Sequence, residues 1–198
     1  MKRFSLIALV LGCCALALPA AAQSTRVQKS QAEIALENAQ TTQAKQREAR
    51  KAANTACAAR DYAACVTAGD SYRKGTGGEQ DYGLAIKAYD RACDGRNGQG
   101  CASLAYLNMM GRGMDKNLPE ARRLYKQACD YGEVSGCAGY GNMVFTGTGG
   151  PKNVTEGTDV LRNSCDRGYK WACDKLVELG AFDPSDSTYE RLKDLRGG

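Results

Sequence analysis

Residues 85–117 read AIKAYDRACDGRNGQGCASLAYLNMMGRGMDKN, and this stretch decides the fold. Cys93 and Cys101 stand eight apart across a Gly-containing segment. Before them Ala85, Ala88, Tyr89 and Ala92 recur at helical spacing, and after them Cys101, Leu104, Ala105 and Asn108 do the same. Gly111-Arg112-Gly113 then ends the second stripe, supplying backbone freedom at positive φ. The stretch predicts a helix, a tight turn, a second helix beginning near its Cys, and a glycine stop.

Outward from it, the pattern recurs every 36 residues. The paired cysteines are Cys57 and Cys65, Cys93 and Cys101, Cys129 and Cys137, and Cys165 and Cys173. Gly75, Gly111 and Gly147 keep the same frame, as do Gly77, Gly113 and Gly149. So do Ala85, Ala121 and Gly157, then Tyr89, Tyr125 and Leu161, then Ala92, Ala128 and Ser164. Cys65, Ala68, Gly69 and Tyr72 repeat the first-helix stripe, whose small residues let two helices approach closely. Asp81, Asn117 and Asn153 read as N-caps of the other helix of each unit, with Glu120 and Glu156 at capping-box spacing. A two-helix unit at this period cannot bury its apolar face alone, so the fold class is all-α, an α/α solenoid.

The rest of the chain sets the context. It has 198 residues, no His, 10 Cys and a formal charge of +5. Without His there is no Ser-His-Asp or Cys-His nucleophile, no His-ligated zinc and no imidazole acid–base catalyst. Lys2 and Arg3, the apolar run Phe4 to Leu18 and the exit Pro19-Ala20-Ala21-Ala22 read as a signal peptide over 1–22, cleaved after about Ala22. The apolar run is too short to span a membrane; a lipoprotein reading would use Val10-Leu11-Gly12 before Cys13. Cleavage removes Cys13 and Cys14, leaving an even set of eight in an exported chain, periplasmic or secreted, which points to disulfides. Residues 23–56, a basic Ala/Gln-rich helical segment, carry Arg26, Lys29, Lys45, Arg47, Arg50 and Lys51 against Glu33, Glu37 and Glu48. Residues 57–198 are therefore neutral, without the electrostatic footprint of nucleic-acid binding. The last turns of that basic segment are expected to pack on the first unit as the helix before Cys57.

Two pairings fit the helices. Cys65 and Cys93 lie at one end of a hairpin and could bridge within a unit, but that scheme strands Cys57 and Cys173. An i,i+8 bridge staples the turn between units and uses all eight, so the expected set is Cys57–Cys65, Cys93–Cys101, Cys129–Cys137 and Cys165–Cys173.

These units resemble Sel1-like repeats, relatives of tetratricopeptide repeats, and their cysteine pairs are similar to the Helicobacter cysteine-rich protein subfamily. The resemblance covers about residues 57–183; Phe182-Asp183-Pro184-Ser185 then replaces the Gly-x-Gly segment, and residues 184–198 read as a capping helix. It implies secreted solenoids bridged at this spacing, with first helices lining a concave side. On those helices, offsets +2, +5 and +9 from each Cys point away from the partner helix. They give Thr67, Asp70 and Lys74, then Ser103, Tyr106 and Met110, then Gly139, Asn142 and Thr146 as the candidate binding face. The expected partner is a protein segment or extended peptide, with a cell-wall peptide as the lesser choice, held by a monomer without cofactor or metal.

The resemblance also implies a competing reading, β-lactam binding or hydrolysis, since members of the subfamily have been assigned such activity. Ser71-Tyr72-Arg73-Lys74 is formally S-x-x-K, but no S-D-N or K-T-G accompanies it, and Lys74-Gly75-Thr76 has the wrong order. No Cys-x-x-Cys marks a thiol catalyst. The loops GTGGEQD and GTGGPKN lack the G-K-[ST] of a phosphate cradle. Asn153-Val154-Thr155 matches a glycosylation acceptor, though Asn153 is already used as a cap, and Trp171 reads as packing in the last unit.

Overall fold

The computed structural model describes residues 29–181; the signal-peptide reading, Cys13, and the capping helix expected over 184–198 lie outside them. Among the described residues the protein is all helix: α1 (Gln31–Ala58), α2 (Tyr62–Lys74), α3 (Tyr82–Asp94), α4 (Gly98–Met110), α5 (Leu118–Asp130), α6 (Val134–Thr146), α7 (Val154–Asp166) and α8 (Lys170–Glu178). The described residues divide into two units, with the boundary between Glu37 and Asn38. In the first, Ser30 and Glu33 cap the opening of α1 reciprocally: the Glu33 carboxylate accepts from the Ser30 N–H at 2.7 Å, and the Ser30 hydroxyl accepts from the Glu33 N–H at 3.2 Å.

In the second unit each of α2 to α7 runs 13 residues, with sequence-readable punctuation. Asp81, Asn117 and Asn153 accept from the N–H three residues on, as Asp61 and Asn97 do at the other helices. The capping boxes expected from Glu120 and Glu156 do not close. The N-cap N–H groups of Asn117 and Asn153 are already donated to the carbonyls of Asn108 and Val144 on the preceding helix. Glu120 turns to Arg123 instead, and Glu156 accepts from the Asn153 side-chain amide.

Consecutive helices pack in antiparallel pairs around small residues. Ala85, Ala92, Ala105, Ala121 and Ala128 are fully buried, with Tyr89, Leu107 and Leu161 filling the spaces between; each buried Leu contributes about 2 kcal/mol. Four disulfides, Cys57–Cys65, Cys93–Cys101, Cys129–Cys137 and Cys165–Cys173, tie the end of one pair to the start of the next, with Cα–Cα distances of 4.5, 4.6, 4.3 and 4.8 Å. The end of α1 obeys the same frame. Ala53 and Cys57 are buried, and Arg50 donates to the Glu79 carbonyl at 3.1 Å. Two periods on, Arg122 donates to the Pro151 carbonyl at 2.9 Å. The last turns of α1 therefore serve as the second helix of a unit standing before the first.

The bridged turns share one strained position. It is occupied by Arg60 (φ 70°), Arg96 (φ 62°), Gly132 and Gly168 (both φ 85°). A side chain in this left-handed region costs about 1–2 kcal/mol, partly offset by the backbone entropy that glycine adds to the unfolded chain. Arg60→Gly is expected to stabilise the protein by about 0.5–1 kcal/mol in chemical denaturation. A variant no more stable than the native chain would remove backbone strain as the reason for the two later glycines.

Candidate functional site

The first helices of the units, α2, α4, α6 and α8, lie side by side. Each opens three residues before its Cys, so the offset −2 falls inside the helix, on the stripe that also carries +2 and +5. Two adjoining cavities of about 320 and 330 Å³ open on this face and share Tyr106, Tyr125, Ser135 and Tyr169. The first extends to Asp70, Arg73, Gln99, Ala102 and Ser103, and the second to Met109, Gly139, Asn142 and Trp171.

Register explains why the groove is polar at one end and aromatic at the other. In the first unit Tyr89 is fully buried and its hydroxyl donates to Asp70 at 2.6 Å. Arg73 donates to the same hydroxyl at 3.1 Å and to Asp70 at 3.2 Å, closing a triad. Burial, with the hydrogen bond to Asp70, pushes the Tyr89 phenol well above the usual tyrosine range. One period on, Tyr125 takes the place of Tyr89, Tyr106 that of Asp70, and Met109 that of Arg73. Tyr125 is only 7% exposed, and among the described residues nothing shares a hydrogen bond with its hydroxyl, which is left facing the cavities. Burial, then the nearby phenols of Tyr169 and Tyr106, push its pKa up.

The fourth unit departs from its own pattern to complete the wall. Asp61, Asn97 and Glu133 cap α2, α4 and α6 with their side chains. Tyr169 holds the same position at α8 and makes no side-chain cap. A lost cap costs about 1 kcal/mol; in exchange, the Tyr169 ring lines both cavities, with its centroid 6.3 Å from that of Trp171. A local rule broken at a concave surface is the usual mark of a functional position.

Of the residues expected on the binding face, Asp70, Ser103, Tyr106, Gly139 and Asn142 line the cavities. Thr67, Lys74, Met110 and Thr146 do not. The Thr67 hydroxyl donates back to the Ala63 carbonyl at 3.3 Å, and that of Thr146 to Asn142 at 2.8 Å. Lys74 stands 3.8 Å from Asp70, and Met110 is 47% exposed. Offset +9 is the last residue of α2, α4 and α6, beyond the groove. The overlooked offset −2 supplies Gln99, Ser135 and Trp171. Trp171 is not packed as expected; it is 40% exposed, at the aromatic end. Ser71 and Lys74 are each engaged elsewhere, Ser71 donating to the Thr67 carbonyl at 2.9 Å.

Among the described residues no helix is long and apolar enough to cross a membrane. Residues 62–97, 98–132 and 134–172 each match the family model described as Sel1 repeat. Among solved structures, a Sel1 repeat protein from Oxalobacter formigenes is 25% identical over 64% of this chain and 52% of that one, with a TM-score of 0.58. The protective antigen c5321 of uropathogenic Escherichia coli is 21% identical over 76% of this chain and 34% of its own, with a TM-score of 0.65. Helicobacter pylori cysteine rich protein B is 22% identical over 68% of this chain and 96% of its own, with a TM-score of 0.55. The chain thus spans about half the length of the first and a third of the second. A comparison with curated proteins finds no match.

Proposed function

Since this chain belongs to the Sel1 repeat family, whose members are scaffolds for protein interaction, we propose that it is an exported, disulfide-stapled binding module. It works as a monomer and captures a segment of a protein partner, in extended form, on the face built by α4, α6 and α8. The observation that carries this reading is the hydroxyl of the buried Tyr125 side chain, which has no hydrogen-bond partner among the described residues and opens into cavities walled by Tyr106, Tyr169 and Trp171. Four disulfides support export to an oxidising compartment. They also keep the helices fixed, which lowers the ordering cost of binding.

The test is selection of a displayed random-peptide library on the oxidised protein, repeated with a Tyr106→Ala/Asn142→Ala variant. Both side chains line the aromatic cavity. The double variant is expected to lose the selected peptides while melting close to the native protein. Equal capture by both proteins would remove the groove from the function.

A further inference from the structure

The second unit opens what the first unit keeps closed. Exchange of Asp70 and Arg73 for Tyr106 and Met109 leaves Tyr125 without the partners that Tyr89 has. The hydroxyls of Tyr106 and Tyr169 and the indole N–H of Trp171 also carry no hydrogen bond among the described residues. All four side chains line one cavity, together with Met109. The groove thus offers several unused donors, aromatic faces and no uncommitted ion, because Asp70 and Arg73 at its far end are held by Tyr89 and by each other.

That set of groups selects a class of ligand. A cationic ligand would find ring faces but no free carboxylate. An anion would lose its hydration against the rings, and Arg73, the cation that lines the cavities, is already held by Tyr89 and Asp70. A helical segment arrives with its carbonyls already paired, and an extended strand brings an unpaired N–H alongside each carbonyl, for which the groove holds no backbone carbonyl or carboxylate acceptor left free. A polyproline II segment has no internal hydrogen bonds, so its carbonyls are available, and its prolines bring no N–H that needs an acceptor. Aromatic-lined grooves bind such segments through ring contacts and donated hydrogen bonds. One turn of this helix advances about 9 Å, close to the roughly 8–10 Å between packed helices, so successive turns meet successive units.

We infer that the groove over α4, α6 and α8 takes a proline-rich segment in the polyproline II conformation, with Tyr106, Tyr125, Tyr169 and Trp171 donating to its carbonyls. This rests on the groove being the binding site and names its ligand class. The experiment titrates a labelled proline-rich peptide and a length-matched alanine–glutamine peptide against three oxidised proteins: native, Tyr125→Phe, and Tyr106→Asp/Met109→Arg. The last rebuilds around Tyr125 the triad that closes Tyr89. The proline-rich peptide is expected to bind the native protein at least about tenfold more tightly than the control, a difference of about 1.4 kcal/mol. Tyr125→Phe should weaken it about five- to tenfold without lowering the melting temperature, because the lost hydroxyl has no partner to abandon. The rebuilt triad should abolish binding in a protein at least as stable as the native one. Equal affinity for both peptides, or full binding by the rebuilt variant, overturns the proposal. If neither peptide binds while the library yields other Tyr106-dependent sequences, the ligand class falls and the binding groove stands; if the library yields none, both fall.

Discussion

Reduction of the native protein with an excess of a thiol reductant is expected to abolish its cooperative melting transition and leave it unfolded at about 37 °C, the temperature at which small stapled domains commonly fail without their bridges. Each disulfide closes a sequence separation of 8. Chain entropy assigns a loop of that size about 2.5 kcal/mol, and the four together about 10 kcal/mol. A domain has only about 5–15 kcal/mol of net stability to lose. This core has little else in reserve, since alanine is the commonest of its fully buried residues and the large side chains there are few, among them Tyr89, Leu107, Met143, Leu161 and Leu176. The bridges also sit where the units meet, and in a solenoid the unit-to-unit interface is the term that makes folding cooperative. Removing only the Cys93–Cys101 bridge, as Cys93→Ala/Cys101→Ala, should cost about 2.5 kcal/mol and leave one transition. Calorimetry and far-ultraviolet circular dichroism of the reduced, alkylated chain are the measurements. A reduced protein that melts in one transition within a few degrees of the oxidised one would show that the helices hold together without their staples.

The groove shows what a single sequence carries and what it does not. Helices, caps and bridged turns are local, written within one period, and Asp81, Asn117 and Asn153 cap the helices their positions announce. The role of the last turns of α1 was readable for the same reason, since Ala53 and Cys57 keep the frame. The site is not local. Tyr89 and Tyr125 read alike in sequence, as buried members of one stripe, and both are buried. What separates them is the identity of the residues at Asp70 and Tyr106, on another helix. Placing the helix start at the Cys rather than three residues before it leaves out Gln99, Ser135 and Trp171, which line the cavities, whereas Lys74, Met110 and Thr146 stand at the far end of their helices and do not line them. The missing cap at Tyr169 was the available signal, an aromatic residue at a position where the other units hold Asp61, Asn97 and Glu133.

Gly149→Ala should be among the most damaging single substitutions away from the cysteines, costing about 3 kcal/mol and lowering the melting temperature by about 10 °C. Two costs add there. The residue has φ 73°, which strains any side chain. An added Cβ would also fall on the Leu118 carbonyl, 2.7 Å from its carbon and 3.1 Å from the Pro119 nitrogen. Those atoms are backbone at the start of α5 and cannot step aside as a side-chain tip would. Gly168→Ala separates the two costs. Gly168 has φ 85° and nothing within 4 Å of its would-be Cβ, so only the backbone strain of about 1 kcal/mol remains. Equal losses in the two variants would mean that the approach of Gly149 to α5 contributes nothing. The contact also bears on function, because Gly149 follows α6, which carries Ser135 and Asn142, and meets α5, which carries Tyr125. A side chain wedged at that point shifts two walls of the groove against each other, and precise placement is what a preformed site depends on. Peptide capture by Gly149→Ala should therefore fall even at temperatures where the variant is fully folded, whereas Gly168→Ala should bind as the native protein does.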